Sequence, residues 1–484
     1  MFLKGLEIRS MFGIFDYSLS FNENMTIITA PNGYGKTICL KVIHSIFTFN
    51  FMYFAELEFD EISLVTELGV LSIRKIMPRQ DNEIPSQAEL FEEDEDKDEG
   101  VFFIRDFELF EDEIENRKNE TKIEITLNYE NDLKSHHIYL SEQYELYLRN
   151  VDEFYPFLRR VGHDRWRDRR HGNNEIYTFE EVVESFGIPE LKIDRLELPK
   201  WLIEFSKNQK TYLVQDQRLI LKKNDMPHRS DFFTNAIERY SERLKSKIKD
   251  SSVKVSMNSQ QLDSTFPKRL VNSKDKYDKL DKNQLIEELG KIQDKRMKLM
   301  KYDLLSQDSS FDNEIQVDHI EENDVKVLNL YVKDTNEKLS SFDSIYEKIN
   351  TFVEILNRKL IFKEVKVSSR RGFYFIRMVN GSEGSDDKEK LLSLSKLSSG
   401  EQHQVVLLYQ LIFNTEPNTL VLIDEPEISL HVVWQKQFME DLTEVSKINN
   451  IKSIIATHSP QIIGDKWDST IDLADLRKSK VAEI

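Results

Sequence analysis

A glycine-rich loop near the start of the chain has residue types and spacing that suit phosphate chemistry. The sequence APNGYGKT lies between a strand-like run, MTIIT, and a helix-like run, TICLKVIHSIF. Gly33 and Gly35 allow unusual dihedral angles and a close approach, so the N–H groups that begin at Asn32 can surround a pyrophosphate. Lys36 is expected to reach the β- and γ-phosphates, and the Thr37 hydroxyl to ligate Mg²⁺. We therefore predict a phosphate-binding loop that opens onto a helix N-terminus.

Two adjacent carboxylates follow a buried strand far from this loop in sequence. The segment NTLVLIDEPEISLH contains the apolar run Leu420–Ile423, which is typical of a strand buried on both faces. Open α/β sheets bind ligands at the carboxyl ends of their strands. Asp424 could hold Mg²⁺ through water, and Glu425 could polarise an attacking water molecule. We predict that Asp424 is a metal ligand and Glu425 a catalytic base.

A short polar turn in KLSSGEQHQVVLLYQLIF leads into a hydrophobic helix. Ser398, the backbone of Gly400 and the start of that helix could form an anion site. Ser398 and Glu401 also have the spacing of a capping box, so the turn could simply cap the helix. The two interpretations are compatible, because a capped helix end can also bind an anion.

Two further polar residues follow predicted strands. His458 comes directly after the apolar run in SIIATHSP, and the segment YLVQDQRL supplies Gln217, with Gln215 as the second choice. A lone histidine at a strand end is more often structural, so the assignment of His458 depends on the order of the other motifs.

These motifs require a framework of strands and helices in three parts. Residues 1–225 are predicted to form a first lobe with the phosphate loop, antiparallel strands over 60–78 and 121–148, and an acidic insertion. Residues 226–360 have helical periodicity, interrupted at QQLDSTFPKRLVNS, and predict a helical insertion of modest reach. Residues 361–484 return to strands and helices and form the second lobe. The expected class is α/β, with a mostly parallel core sheet, an antiparallel β-subdomain and the helical insertion.

In this order, the motifs resemble those of the ABC-type P-loop ATPase superfamily over roughly 1–80, 205–225 and 361–470. The resemblance implies that ATP and Mg²⁺ are bound. It implies that Ser398 and Gly400, as the signature motif, grip the γ-phosphate held by another protomer. It also implies that His458 contacts the γ-phosphate and that Gln217 senses Mg²⁺ and the attacking water. Since each chain has one copy of each motif, two complete sites need a head-to-tail dimer at least.

The sequence departs from the superfamily pattern at three places. Ala30 stands where the loop usually has its first glycine, and this requires a backbone that alanine can adopt. Ser399 replaces a glycine of the signature. His431 falls where many such ATPases have the aspartate of the D-loop, which puts the contacts between protomers around Glu425 in doubt.

A narrower resemblance rests on DEPEISLH, ATHSPQIIGDKWD and the compact helical insertion. These are similar to stand-alone AAA-family ATPases of bacterial antiphage systems, a group that includes the ATPase half of overcoming-lysogenisation-defect nucleases and the ATPases of PARIS and Septu. PARIS is the nearest match and Septu the second. The resemblance to PARIS implies a homo-oligomeric scaffold, a hexamer in that family, which releases a Toprim-like nuclease when it senses a phage protein. Only residues 459–484 follow His458, so we expect the effector nuclease to be a separate polypeptide.

Two other functions remain as alternatives. A DNA-binding repair ATPase of the Rad50 or RecF kind shares the same motifs, although no long coiled coil with a zinc hook is evident. The nucleotide-binding subunit of a membrane transporter is less compatible, because it has no counterpart of the large insertion. DNA-stimulated hydrolysis would favour the first alternative.

Composition narrows the class of protein further. The chain has 484 residues, a net charge of −19 and a single cysteine, Cys39. It lacks an apolar run long enough to cross a membrane and a signal peptide, so we expect a cytoplasmic protein with no membrane partner.

One local segment opposes the acidic character of the chain. FLRRVGHDRWRDRRHG places six arginines near Trp166. They could bind nucleic acid, bind an acidic partner surface such as that of a DNA-mimicking viral protein, or form ion pairs within the chain. A phage trigger protein is also a possible partner of the chain.

Overall fold

The computed structural model describes most of the chain. The residues it describes are 3–76, 122–130, 132–155, 157–162, 165–169, 176–178, 182, 198–215, 220–222, 233–272, 281–305, 322–378, 391–428 and 430–476. Among them, no helix is both long enough and apolar enough to span a bilayer.

Nineteen strands lie within the described ranges. They are β1 (Leu3–Met11), β2 (Phe15–Ser20), β3 (Met25–Thr29), β4 (Glu61–Thr66), β5 (Gly69–Ile76), β6 (Lys122–Tyr129), β7 (Asp132–Tyr139), β8 (Leu158–Arg160), β9 (Arg165–Asp168), β10 (Ile176–Thr178), β11 (Thr211–Val214), β12 (Ile220–Lys222), β13 (Phe233–Asn235), β14 (Lys363–Ser368), β15 (Gly372–Arg377), β16 (Leu391–Leu392), β17 (Leu420–Asp424), β18 (Lys452–Ala456) and β19 (Thr470–Asp472).

Eleven α-helices also lie within the described ranges. They are α1 (Lys36–Phe47), α2 (Tyr53–Glu56), α3 (Leu140–Phe154), α4 (Lys200–Lys207), α5 (Ala236–Asn272), α6 (Lys282–Met300), α7 (Glu322–Ser340), α8 (Asp343–Lys359), α9 (Ser399–Tyr409), α10 (Val432–Asn449) and α11 (Pro460–Ile463).

The central sheet is parallel and has the strand order β11-β17-β18-β3-β19. Its strands are short apolar runs, as expected for strands covered on both faces. Alternate residues of β17 enter different cores: Leu422 packs on the α1 side, and Val421 and Ile423 on the side of α8, α9 and α10. The predicted α/β class with a mostly parallel core sheet is confirmed.

A second sheet of six strands is antiparallel throughout, in the order β2-β1-β4-β5-β6-β7. Leu6 and Ile8 are buried while Glu7 and Arg9 between and beside them are not, which is the period-2 pattern of a sheet with one covered face. Its buried residues share one core with α1. This is the predicted antiparallel β-subdomain.

One predicted strand proved wrong. The alternating run HHIYLSEQYELYL leaves the sheet at Tyr139, and α3 begins at Leu140. Leu148, Val151 and Tyr155 are buried together on a separate small core. Their spacing of three and four residues is helical. The alternation of apolar and polar residues in this run therefore does not indicate a strand beyond Tyr139.

The predicted break in the helical insertion was also wrong. α5 runs for 37 residues and ends at Asn272, so it contains QQLDSTFPKRLVN with Pro267 inside it. It is about 55 Å long at 1.5 Å per residue. Arg269 forms an ion pair with Asp334 of α7 and donates to the carbonyl of Leu262. These contacts hold the last turns in place although a proline weakens the helix locally.

The inner parts of the insertion helices share a core with the carboxy-terminal segment. Buried residues of α5, α6, α7 and α8 belong to the same cluster as those of β14, β15, α9 and α10. The three domain boundaries given above stay a prediction.

Candidate functional site: the carboxyl edge of the parallel sheet

Three segments meet where the parallel strands end. β17 ends at Asp424, which pairs with Ala456 at the end of β18, and Ala456 also pairs with Ile28 of β3. The phosphate loop follows β3, Glu425 follows β17, and His458 follows β18. The sheet register thus brings together residues that are about 390 to 420 positions apart.

The loop has the backbone that its glycines predicted. Gly33 and Gly35 have φ values of 84° and 80°, in the left-handed region. A Cβ on Gly35 would lie 2.5 Å from Cε of Met11, so a side chain there would require the end of the buried Met11 side chain to move. Ala30 does not share this positive φ, and alanine therefore fits the place where a glycine was expected. No side chain caps the start of α1, so its first N–H groups point to the loop.

Lys36 lies buried at the centre of the cluster. Its Nζ donates to the carbonyl of Ala30 at 3.1 Å and lies 2.6 Å from Nε2 of His458. Burial lowers the pKa of Lys36, while the nearby carboxylates of Glu425 and Asp424 act in the opposite direction. Within the described chain, no carboxylate lies at ion-pair distance from this ammonium. The cation is held by neutral groups and faced by acids that it does not touch.

Thr37 and Asp424 place two oxygen atoms side by side. The Thr37 hydroxyl donates to Oδ1 of Asp424 at 3.0 Å, and the Asp424 side chain is buried. Hydroxyl and carboxylate oxygens are ligands that Mg²⁺ prefers, and this ion usually takes its remaining ligands from phosphate and water. Two adjacent oxygens beside an uncapped helix start fit a magnesium nucleotide.

Glu425 occupies a strained turn. Its φ is 40°, unusual for a residue with a side chain, and its N–H donates to the Ala456 carbonyl at 2.9 Å. Strain of this kind is concentrated at functional sites. The turn directs the carboxylate to His458, with 3.2 Å between Oε1 and Nε2.

Nε2 of His458 can form a hydrogen bond with only one of its two neighbours at a time. Nε2 accepts from the Lys36 ammonium only when it carries no proton, and donates to Glu425 only when it carries one. Both contacts involve the same nitrogen. The position of the ring proton therefore determines which of the two groups Nε2 bonds, while Nδ1 also lies 3.3 Å from the Lys36 ammonium.

Glu427 was not assigned a role from the sequence. Its Oε1 accepts from the Thr457 hydroxyl at 2.6 Å, the His458 N–H at 2.7 Å and the Ser459 N–H at 3.1 Å. The same carboxylate has a buried oxygen, Oε2, without a hydrogen bond. One side chain of the β17 turn thus holds the backbone that carries His458. The only signal in the sequence was a third acid in DEPE.

Ser398 and Gly400 stand apart from this cluster. Ser398 caps α9 in a capping box with Glu401, whose carboxylate accepts from the Ser398 N–H at 2.8 Å. Lys363 donates to both Glu401 oxygens at 2.7 Å. Burial would raise the pKa of Glu401, but the bonds from Lys363 and Ser398 outweigh it and lower that pKa. The hydrogen bonds of Ser398 remain within its own turn, which is exposed to solvent.

One known protein family covers nearly all of the chain. The model of the AAA ATPase domain family matches residues 1–463 of the chain. The chain belongs to this family. No curated relative was found.

Solved structures similar to this AAA ATPase domain include three Smc head domains. The first is the Smc head domain from Pyrococcus furiosus, which has an extended coiled coil and is bound to the C-terminal domain of ScpA. It has 12% identity and a TM-score of 0.29, and the match covers 97% of this chain and 93% of that one. An SmcHead bound to the C-winged helix domain of ScpA has 10% identity and a TM-score of 0.33, and the match covers 98% of this chain and 94% of that one. The SMC head domain from Thermotoga maritima has 12% identity and a TM-score of 0.30, and the match covers 97% of this chain and 92% of that one. Likeness at this level carries no argument about function.

Two other predicted positions of the AAA ATPase domain are less informative. Gln217 lies outside the described residues. Gln215, the second choice, directly follows Val214, which pairs with Ile423 beside Asp424, so it lies at the same sheet edge. His431 caps α10, with its Nδ1 accepting from the Val433 N–H at 3.3 Å. This cap is the contact that it makes in place of a D-loop aspartate.

Proposed function

We propose that this AAA ATPase domain binds Mg-ATP at the carboxyl edge of the parallel sheet and hydrolyses it. One observation carries the proposal: Lys36, His458 and Glu425 meet with 2.6 and 3.2 Å between their polar atoms, beside the Thr37–Asp424 pair. A buried ammonium without an ion-paired carboxylate is a suitable partner for a phosphate oxygen.

Each residue has a role that its surroundings support. The N–H groups from Asn32 to Thr37, with Gly33 and Gly35 in the left-handed region, would bind the β-phosphate. Thr37 and Asp424 would hold Mg²⁺, directly and through water, and the bound ion would neutralise phosphate charge. Glu425 would accept a proton from the attacking water. His458 would contact the γ-phosphate.

Two variants test the nucleotide site directly. Glu425→Gln keeps the size of the side chain but cannot accept a proton, so hydrolysis should fall by about 10²- to 10⁴-fold while ATP still binds. Lys36→Ala should abolish binding of a fluorescent ATP analogue. Glu440→Gln, at an exposed position of α10, is the control with the same chemical change. Unchanged hydrolysis in both site variants would refute the assignment.

We further propose that the chain acts as a homo-oligomeric sensor and scaffold in antiphage defence, where it holds and releases a separate effector nuclease. The motif resemblance supports this role, and the family supports its ATPase part. Ser398 and Gly400 begin a helix at the surface, so the corresponding anion site is accessible to the nucleotide of a second protomer.

The mass of the Glu425→Gln protein in solution, with and without Mg-ATP, tests the scaffold. An assembly larger than a dimer without ATP supports it. A monomer that dimerises only with ATP, together with DNA-stimulated hydrolysis, would favour a repair ATPase of the Rad50 or RecF kind instead.

Phage plating tests the defence role. Cells that carry the chain with its neighbouring genes should resist phage, and Lys36→Ala should remove that resistance. Equal plating on cells with and without these genes, across a broad phage panel, would refute the role while leaving the ATPase intact.

A further inference from the structure

A small three-stranded sheet has one face on a core of its own. Its strands are ordered β10-β9-β8, and Trp166 of β9 is buried against α3. The Trp166 Nε1–H donates to Oδ1 of Asp152 at 2.7 Å, which fixes the sheet to the helix. Because side chains alternate along a strand, the residues on either side of Trp166 point away from this core.

The opposite face of the sheet is lined with arginines. Arg165 and Arg167 are exposed and lie two residues apart on β9, roughly 7 Å along the strand. Arg159 of β8 lies directly opposite Arg167 in the sheet register. Arg169 follows at the end of β9 and is also exposed. We call these four residues the arginine face.

The arginine face is not neutralised within the described part of the chain. None of its four guanidinium groups has an ion-pair or hydrogen-bond partner there. Arg9 and Arg74, on the large antiparallel sheet, instead both pair with Glu61. Like charges directly opposite each other destabilise a sheet, and the whole chain has a net charge of −19. Ion pairing with the described residues, which belongs to one of the three sequence interpretations, therefore does not explain these arginines.

The chemistry of the face distinguishes between the two remaining partners. Protein interfaces depend on aromatic or aliphatic anchors at their centre. The large apolar side chains exposed on this face are Ile176, 47% exposed and opposite Arg167, and Val161, 42% exposed, whose N–H donates to the Arg165 carbonyl. Both flank the central strand β9, and neither is aromatic, so the centre of the face has no apolar anchor. Interfaces with nucleic acid are more polar and far more positive, and guanidinium groups bind phosphate oxygens in pairs. We propose that the arginine face binds the phosphate backbone of a nucleic acid duplex without reading its sequence.

This binding has a quantitative signature. Neutralisation of four phosphates gives a slope of about −3.6 for the logarithm of affinity against the logarithm of salt concentration. Affinity should therefore fall roughly 150-fold between 50 and 200 mM KCl. Base composition should have little effect, since a flat face of guanidinium groups contacts phosphates rather than base edges.

The test is fluorescence anisotropy of a labelled 20-base-pair duplex with the full chain, without nucleotide. Arg165→Gln combined with Arg167→Gln should lower affinity at least 10-fold and reduce the salt slope by about two. Arg9→Gln combined with Arg74→Gln removes the same charge from another surface and should leave affinity within twofold. Melting temperature and ATP hydrolysis of both double variants should match the wild type, which shows that they are folded.

Three results would overturn the proposal. The first is no duplex binding at 50 mM KCl, and the second is an equal loss in the two double variants. The third is binding of poly-glutamate, but not duplex, that depends on Arg165 and Arg167, which would assign the face to an acidic protein. Since Lys36→Ala should leave duplex binding unchanged, failure here is distinguishable from failure of the nucleotide site.

Discussion

Two buried lysines show how the same side chain serves different purposes in this molecule. Burial lowers the pKa of both Lys36 and Lys359. Lys359, at the end of α8, forms an ion pair with the buried carboxylate of Asp441 on α10. Lys36 instead contacts the carbonyl of Ala30 and the His458 ring. One cation has a carboxylate of its own, and the other does not.

The difference separates a structural pair from an open site. Lys359 and Asp441 neutralise each other between two helices, so we expect Lys359 not to bind an added anion. Lys36 is near Asp424 and Glu425, but these acids contact Thr37 and His458. A phosphate bound in the loop would form an ion pair with Lys36, which has no carboxylate at ion-pair distance among the described residues. The comparison therefore predicts that activity depends on one lysine and stability on the other.

The largest effect is expected from Lys36→Met. Loss of one cation that stabilises transferring phosphate should reduce ATP hydrolysis by about 10²- to 10³-fold. The free energy of unfolding without nucleotide should stay equal or rise, because the lowered pKa of Lys36 shows that its site disfavours the charged form. Urea denaturation and a phosphate-release assay measure the two quantities. A large loss of stability with normal turnover would reverse the comparison.

Lys359→Met should show the opposite behaviour. Removal of one partner leaves Asp441 buried without its cation, which costs about 3–5 kcal/mol of stability. The double variant Lys359→Met/Asp441→Leu should recover most of that loss, since a buried ion pair and an apolar pair of similar size are often equally stable. ATP hydrolysis per folded molecule should change little in either variant. Loss of hydrolysis in the double variant would show that this pair also serves the site.

The pH dependence of the same variant follows from the carboxylate that remains. Burial raises the pKa of Asp441, and Lys359 opposes that rise, so Lys359→Met should raise it further. A raised folded-state pKa means that the folded protein binds a proton where the unfolded chain does not. Stability relative to the wild type should therefore increase as pH falls from 8 to 5. If the difference in unfolding free energy between the variant and the wild type stays constant with pH, water or another cation replaces Lys359.

The sequence predicted one of these lysines and not the other. Lys36 is part of a local pattern of glycines between a strand and a helix, and such patterns can be interpreted without the fold. The acids at the end of β17 and the parallel sheet were predictable for the same reason. Lys359 and Asp441 are 82 positions apart, and nothing in either segment indicates the other. Long-range contacts also sustain α5 past Pro267, where local propensity predicted a break.

Glu427 is a partly buried acid that, unlike Lys36, acts on the site through another residue. Glu427→Ala should remove three hydrogen bonds to the segment that carries His458. We expect kcat to fall about 10- to 100-fold through lost positioning, with a smaller change in KM. Glu427→Gln keeps one acceptor oxygen and should restore part of kcat. A rise in KM alone would indicate a contact with nucleotide instead of a positioning role.

The smallest effects concern the two glycines beside Lys36, which share a positive φ but differ in the space around them. A side chain on Gly33 meets nothing within 4 Å, so Gly33→Ala should cost only the strain of a left-handed backbone, about 1 kcal/mol. Gly35→Ala adds a collision with Met11 at 2.5 Å and should cost about 1–3 kcal/mol more. Met11→Ala by itself destabilises the protein because it leaves a cavity. The loss of unfolding free energy caused by Gly35→Ala is therefore measured a second time in Met11→Ala protein, by urea denaturation without nucleotide. There the collision is absent, and the cost of Gly35→Ala should fall to that of Gly33→Ala. Equal costs for the two glycines in the wild-type background would mean that the loop moves away from Met11 freely, and that Lys36 is held by its own contacts rather than by the loop.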